Sequence, residues 1–346
     1  MKKVYILIAA VILAALCFCG CGNADAAGKD DGLNIVTTIF PEYDWVVNIL
    51  GENPAGAEVT MLLDNGVDLH SYQPTAEDIV KISTCDIFIY VGGESDEWVE
   101  DALNEAVNKD MIVINLLDEL GGAVKEEEVV EGMQEEDEHD HDHGDEDADE
   151  EHEHDEDEEG HHHEEGEVEY DEHVWLSLRN AVVLTDVIGK AIIEKDPANS
   201  ELYTNNMTSY INSLDALDVE YAEAVNSGDK DVVLFGDRFP FRYLTDDYGL
   251  NYYAAFVGCS AETEASFETI TFLAQKVDEC GLSVVLTIEK SDKKIAETII
   301  ENTSSADQTV MTLDSMQSVT SEDVKNGASY LSIMEENLNV LKEALK

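Results

Sequence analysis

Basic residues are scarce in this chain: lysine and arginine number 19 against 78 aspartates and glutamates, a formal charge of −59 over 346 residues. Phosphate backbones are held by clustered lysine and arginine, so nucleic acid is ruled out as a partner. Cysteine is also sparse, with six in all, three of them in the first 21 residues. The other three, Cys85, Cys259 and Cys280, are too few and too scattered for a disulfide framework or a CxxC zinc site, and read as buried or idle thiols. HExxH is missing, and only two of ten histidines lie outside one acidic segment. A zinc hydrolase needs three protein ligands, an open water position and a general base, so that class is disfavoured. A membrane-spanning run is lacking too: the apolar stretch Val4 to Phe18 falls short of the roughly 20 residues that cross a bilayer.

What that stretch does have is Lys2 and Lys3 before it and Gly20 and Cys21 after it, the layout of a secretory signal. A small residue before a cysteine, followed by a polar stretch to Asp31, is what a bacterial lipoprotein signal looks like. Residues 1–21 are then a signal peptide and Cys21 the acylated N-terminus, anchored at the outer face of the cell membrane. Ordinary cleavage near Ala27, giving a free secreted protein, is the alternative.

Residues 135–165 hold 20 acidic residues, eight histidines, two glycines and one alanine. With no large apolar side chain, such a segment cannot offset its ordering entropy, and a disordered loop is expected within 125–170. Its histidines, His139, His141, His143, His152, His154, His161, His162 and His163, form an accessory set of metal-gathering ligands. Removing the segment still leaves a charge of −39.

On either side, short β-rich runs alternate with helical patterns. Strands are expected at 34–40, 58–63, 86–91 and 111–116, then at 232–235, 250–256, 283–288 and 309–313, with later helices at 264–279, 293–302 and 321–345. Alternating strands and helices give parallel sheets flanked by helices, here an α/β chain of two lobes, 33–195 and 229–346. Between them Asp196 and Pro197 open a helix. Tyr203, Met207, Tyr210, Leu214, Leu217 and Tyr221 then repeat at spacings of four and three, the stripe of one amphipathic helix over 196–228. It either ties the lobes together or is a core helix of the second.

His70 and His173 are the two histidines in folded sequence, and both sit in strand-to-helix loops, where open α/β sheets bind ligands. The stretch around the first, LHSYQPTAEDI, resembles the His-x-Tyr-Glu-Pro-Thr motif of metal-binding lipoproteins that serve ATP-driven zinc and manganese importers. DEHVWLS resembles their second histidine segment and FRYLTDDYGL their Tyr-Phe and Tyr-Gly-Leu stretch. ETEAS, TIEKSDKKIAETI and TLDSMQSVT continue the likeness from about Asn34 to Lys346. The family resemblance implies two (β/α) lobes joined by a rigid backbone helix, with one metal in the cleft between them. It makes His70 and His173 first-lobe ligands and Asp314 the second-lobe carboxylate. Where zinc members carry histidine and manganese members glutamate, this chain aligns Gly236, so Asp237 is the substitute third ligand, unless it caps its loop or pairs with Arg238. Glu262, Glu264, Glu289 and a loop histidine are lesser candidates.

Imidazoles favour zinc, copper or nickel, and carboxylates favour manganese; the histidine tracts tilt the expectation to Zn(II), with Mn(II) as the alternative. The expected role is extracytoplasmic capture and release rather than turnover, delivering the ion to an ABC permease and its ATPase subunit. The protein is expected to act as a monomer held to the membrane by its lipid. A surface adhesin or metal buffer on the same fold is the other reading. Affinity should fall as pH drops through the histidine range.

Overall fold

The computed structural model describes residues 32–134, 169–260 and 264–346. The expected signal peptide with Cys21, the histidines from His139 to His163, and Glu262 lie outside the described residues.

In chain order the elements are β1 (Asn34–Thr37), α1 (Phe40–Leu50), β2 (Glu58–Met61), α2 (Ala76–Thr84), β3 (Ile87–Tyr90), α3 (Trp98–Asn104), β4 (Ile112–Asn115), α4 (Leu116–Leu120), α5 (Leu178–Lys195) and α6 (Ser200–Ser227). There follow β5 (Val232–Phe239), α7 (Arg242–Tyr248), β6 (Asn251–Val257), α8 (Phe267–Cys280), β7 (Val284–Thr287), α9 (Lys294–Glu301), β8 (Thr309–Thr312), α10 (Ser321–Lys325) and α11 (Tyr330–Ala344). The strands form two four-stranded sheets ordered β2-β1-β3-β4 and β6-β5-β7-β8, every pair parallel. Both sheets repeat one topology, whose strand order reverses beside the first strand, and loops leaving the carboxyl ends there are the natural place for a ligand.

Helix α6 has 28 residues, about 42 Å at 1.5 Å per residue, and packs on α1, α5 and α11. Its buried stripe is Tyr203, Tyr210, Leu214, Leu217, Tyr221 and Ala224. Each such apolar side chain contributes on the order of 1.5–3 kcal/mol when taken from water. Two of its tyrosines also reach opposite halves of the molecule: Tyr210 donates to Asp44 Oδ2 at 2.9 Å and Tyr221 to the Met334 carbonyl at 2.7 Å. One apolar cluster accordingly runs from Trp45 and Phe88 through Trp175, Tyr203 and Tyr221 to Phe235, Leu286 and Tyr330.

Two expectations are corrected in detail. The C-terminal helix is broken, because Gly327 takes φ +102° and Ser329 opens α11 with a capping box of its own. The segment expected to be loop from residue 125 onward holds structure at both ends. Glu126 forms a β-bridge with Tyr170, Gln134 N donates to the Ala255 carbonyl at 3.0 Å, and Met133 is buried. Residues 125–134 are thus a strap from the first lobe onto the second, held by backbone hydrogen bonds that a composition count does not foresee.

Candidate metal centre

His70 leaves the carboxyl end of β2 and sits in a single 3-10 turn, Leu69–Ser71, capped by Asp68, whose Oδ1 accepts from His70 N at 3.1 Å. Ser95, from the loop after β3, lies 2.7 Å from His70 Nδ1, and Glu172 Oε2 lies 3.5 Å from the same nitrogen. His173 is fully buried. Asp171 Oδ1 accepts from both its backbone N at 2.8 Å and its Nδ1 at 3.0 Å. Two residues on, Trp175 donates to the Ser315 carbonyl at 2.8 Å, and Tyr330 donates to the Trp175 carbonyl at 2.6 Å, so the second lobe clamps this segment.

With both Nδ1 atoms engaged, the remaining ring nitrogens face each other, His70 Nε2 to His173 Nε2, at 3.2 Å. A carboxylate accepts only, so His173 donates through Nδ1 and presents a bare Nε2 when neutral. One proton between the two Nε2 atoms then closes the chain from Ser95 to Asp171. Two imidazole nitrogens on one tetrahedral zinc would stand roughly 3.3 Å apart, so the metal needs little rearrangement to replace that proton. Electrostatics oppose a second proton on the pair. Burial and then the charge of His173 push His70 down to about 3, whereas for His173 burial is outweighed by the carboxylates of Asp171, Glu172 and Asp68 together, which raise its pKa.

A third donor converges from the second lobe. Cys259 follows β6, and its sulfur and the two imidazoles place one ligand atom each within 4.8 Å of one another, the one such trio among the described residues. Gly258 makes this approach possible, because a Cβ there would stand 3.0 Å from His173 Cε1. Glu127 of the strap fixes the loop by accepting from Cys259 N at 3.2 Å. Burial and the nearby Glu127 raise the thiol's pKa. A bound dication reverses that balance, since a coordinating thiol loses its proton.

The sequence reading passed over Cys259 as an idle thiol; its place directly after a strand of the second sheet was the available signal. The carboxylates it favoured lie elsewhere. Asp237 lines a cavity of about 460 Å³ that neither histidine borders, and its Oδ1 accepts from the N of Arg238 at 2.9 Å. Asp314 Oδ1 accepts from Met316 N at 2.7 Å, closing its own loop after β8. Burial and the charge of Glu289 push Asp314 up to about 7. Glu289 is engaged by Ser315 and Gln317, and Glu264 is exposed. Gly236 proves to be a packing glycine: a Cβ on it would fall 2.5 Å from Ala296 Cα, under α9. After a bulge in β5 it is Arg238 that reaches the first lobe, pairing with Asp68 at 2.7 Å.

Access is through a cavity of about 240 Å³ lined by His70 and Cys259 with Glu94, Glu127, Glu169 and Glu172. Among the described residues no helix is long and apolar enough to cross a membrane.

Comparison with known proteins finds relatives along nearly the whole chain. The zinc-binding lipoprotein AdcA of Streptococcus pneumoniae is 32% identical over 343 residues, which are 99% of this chain and 61% of that protein. This chain therefore spans less than two thirds of that relative's length. The high-affinity zinc uptake system protein ZnuA of Bacillus subtilis is 28% identical over 341 residues, 99% of this chain and 96% of the relative. The Zn(II)-bound ZnuA-like domain of Streptococcus pneumoniae AdcA superposes with a TM-score of 0.66 at 26% identity, covering 91% of this chain and 99% of that domain. The family model described as zinc-uptake complex component A, periplasmic, matches residues 35–344, and the chain belongs to that family.

Proposed function

We propose that this protein captures Zn(II) outside the cytoplasmic membrane and hands it to an ATP-driven importer, binding and releasing the ion without chemical turnover. The observation that carries the reading is the pair of half-buried His70 and buried His173, with outer nitrogens held by Ser95 and Asp171 and inner nitrogens 3.2 Å apart. Outer partners of this kind fix the tautomer and raise ligand basicity. The names of the relatives, two of them zinc proteins and one a lipoprotein, point the same way. Manganese prefers oxygen donors and is the poorer match to two imidazoles. A permease and an ATPase subunit are the partners this role requires, and acylation at Cys21 would keep the protein beside them.

The test is competitive zinc titration against a chromophoric chelator, using the whole mature chain, a variant lacking 135–165, and His70→Ala in both. One tight site that survives the deletion and is lost with His70→Ala is expected. Tight binding that disappears with the deletion alone would move the capture site out of the two lobes.

A further inference from the structure

We propose that the third protein ligand of this centre is the thiolate of Cys259, so that the second lobe contributes sulfur and the donor set, two imidazole nitrogens and one thiolate, suits borderline-soft divalent cations such as Zn(II). The inference rests on reading the histidine pair as the capture site. Three independent observations carry it.

The first is convergence. Cys259 is the side chain that completes a trio of ligand atoms within 4.8 Å with His70 and His173. A tetrahedral zinc with Zn–N of about 2.05 Å and Zn–S of about 2.3 Å sets N···S at roughly 3.5 Å. Closing that gap asks for a shift of about an ångström by one short loop.

The second is how that loop is built. Gly258 comes close to the His173 ring, where an added Cβ would stand only 3.0 Å from Cε1, and Glu127 holds the Cys259 backbone from the strap. A thiol with only a packing role would not need its backbone brought against an imidazole.

The third is that the alternatives from the second lobe do not reach the histidine pair. Arg238, the β5 residue nearest the His70 turn by its bond to Asp68, is a cation with no lone pair to give, and its other nitrogen donates to the Ser260 carbonyl at 3.3 Å. Asp237 lines the separate 460 Å³ cavity, which neither histidine borders, with its Oδ2 buried there without a partner, and Asp314 Oδ1 closes its own loop on Met316 N; neither joins the trio of ligand atoms. When the metal enters, one metal–sulfur bond forms, the S–H bond breaks, and the proton leaves with water through the 240 Å³ cavity that borders both His70 and Cys259. That cavity exceeds the space one water needs, leaving a fourth coordination position open.

The experiment is to load the whole mature chain with one equivalent of Co(II), a spectroscopic stand-in for zinc, and record the near-ultraviolet spectrum, with zinc affinity measured in parallel. The wild type and a Cys280→Ser control should show an intense thiolate-to-cobalt charge-transfer band. Cys259→Ser should lose the band and weaken zinc by roughly 100-fold, at or beyond the upper end for outer-shell partners. Cys259→His should recover most of the zinc affinity without the band. If the wild type shows no such band while His70→Ala still abolishes tight binding, the capture site stands and the thiolate ligand is overturned. If His70→Ala leaves tight binding intact, the reading beneath it fails instead.

Discussion

The Arg238 guanidinium lies 2.7 Å from Asp68, a residue 170 positions earlier that also caps the turn carrying His70. One ion pair therefore joins the second lobe to the backbone of a first-lobe ligand. Side chains 19% and 24% exposed are screened in part, so removing one partner should cost about 2 kcal/mol rather than the larger loss of a fully buried pair. Urea unfolding of Arg238→Met, Asp68→Asn and the double variant forms a cycle. The double variant should be less destabilised than the two singles combined; strict additivity would show that the pair does not couple the lobes.

Asp171 is not one of the trio of ligand atoms, yet one of its carboxylate oxygens holds both the backbone N and the ring Nδ1 of His173. Asp171→Asn should keep the fold and lower zinc affinity by about ten-fold, the lower end of what outer partners supply. Circular dichroism with chelator competition tests both halves, and unchanged affinity would make the carboxylate a purely structural cap.

At Gly258 the constraint is steric. A methyl group would stand 3.0 Å from His173 Cε1 and 3.0 Å from the Phe239 carbonyl, while Asp171 and the neighbouring Trp175 ring, 5.3 Å away, limit the imidazole's retreat. Gly258→Ala should destabilise the protein by about 1–3 kcal/mol and weaken metal binding as well. Affinity equal to wild type would mean that the loop can lift away at no cost to the site.

Asp44 offers a prediction about pH far from the metal. Burial raises its pKa to about 6 against the hydrogen bonds from Tyr210 and the Tyr330 backbone, and Asn48 also donates to it at 3.0 Å. The folded state holds this proton more tightly than the unfolded chain, so the group's contribution is fully present below pH 4 and is lost as pH rises towards 6. A shift of two units corresponds to roughly 3 kcal/mol. Asp44→Asn should gain stability relative to wild type between pH 4.5 and pH 7 in urea melts. A difference that stays constant across that range would place the titration elsewhere.

The alternation of apolar runs and helical stripes was enough to read the two parallel sheets and the long helix, because the inner strands β1, β3, β5 and β7 are largely buried and their sequences show it. The stripe from Tyr203 to Tyr221 is legible for the same reason, as one face of α6 meets the core. His70 and His173 could be found because histidine is rare in the folded regions. Third-ligand geometry was not legible. A bulge between Phe235 and Arg238 changes which β5 side chains face the first lobe, and nothing in the spelling LFGDRFPF announces it. Cys259 was hidden for a different reason: a solitary cysteine becomes a donor only through the company that tertiary packing gives it.

The apolar cluster that passes from Trp45 through α6 to Tyr330 bridges the two sheets. Two-lobed architecture here does not mean two folding units. Cutting the chain before α6 would strand Tyr203 and Tyr221 without half of their surroundings, so neither fragment inherits a complete interior. The molecule should melt as one body, its lobes gaining or losing order together, and an insult to the packing at one sheet should be felt as lost cooperativity at the other.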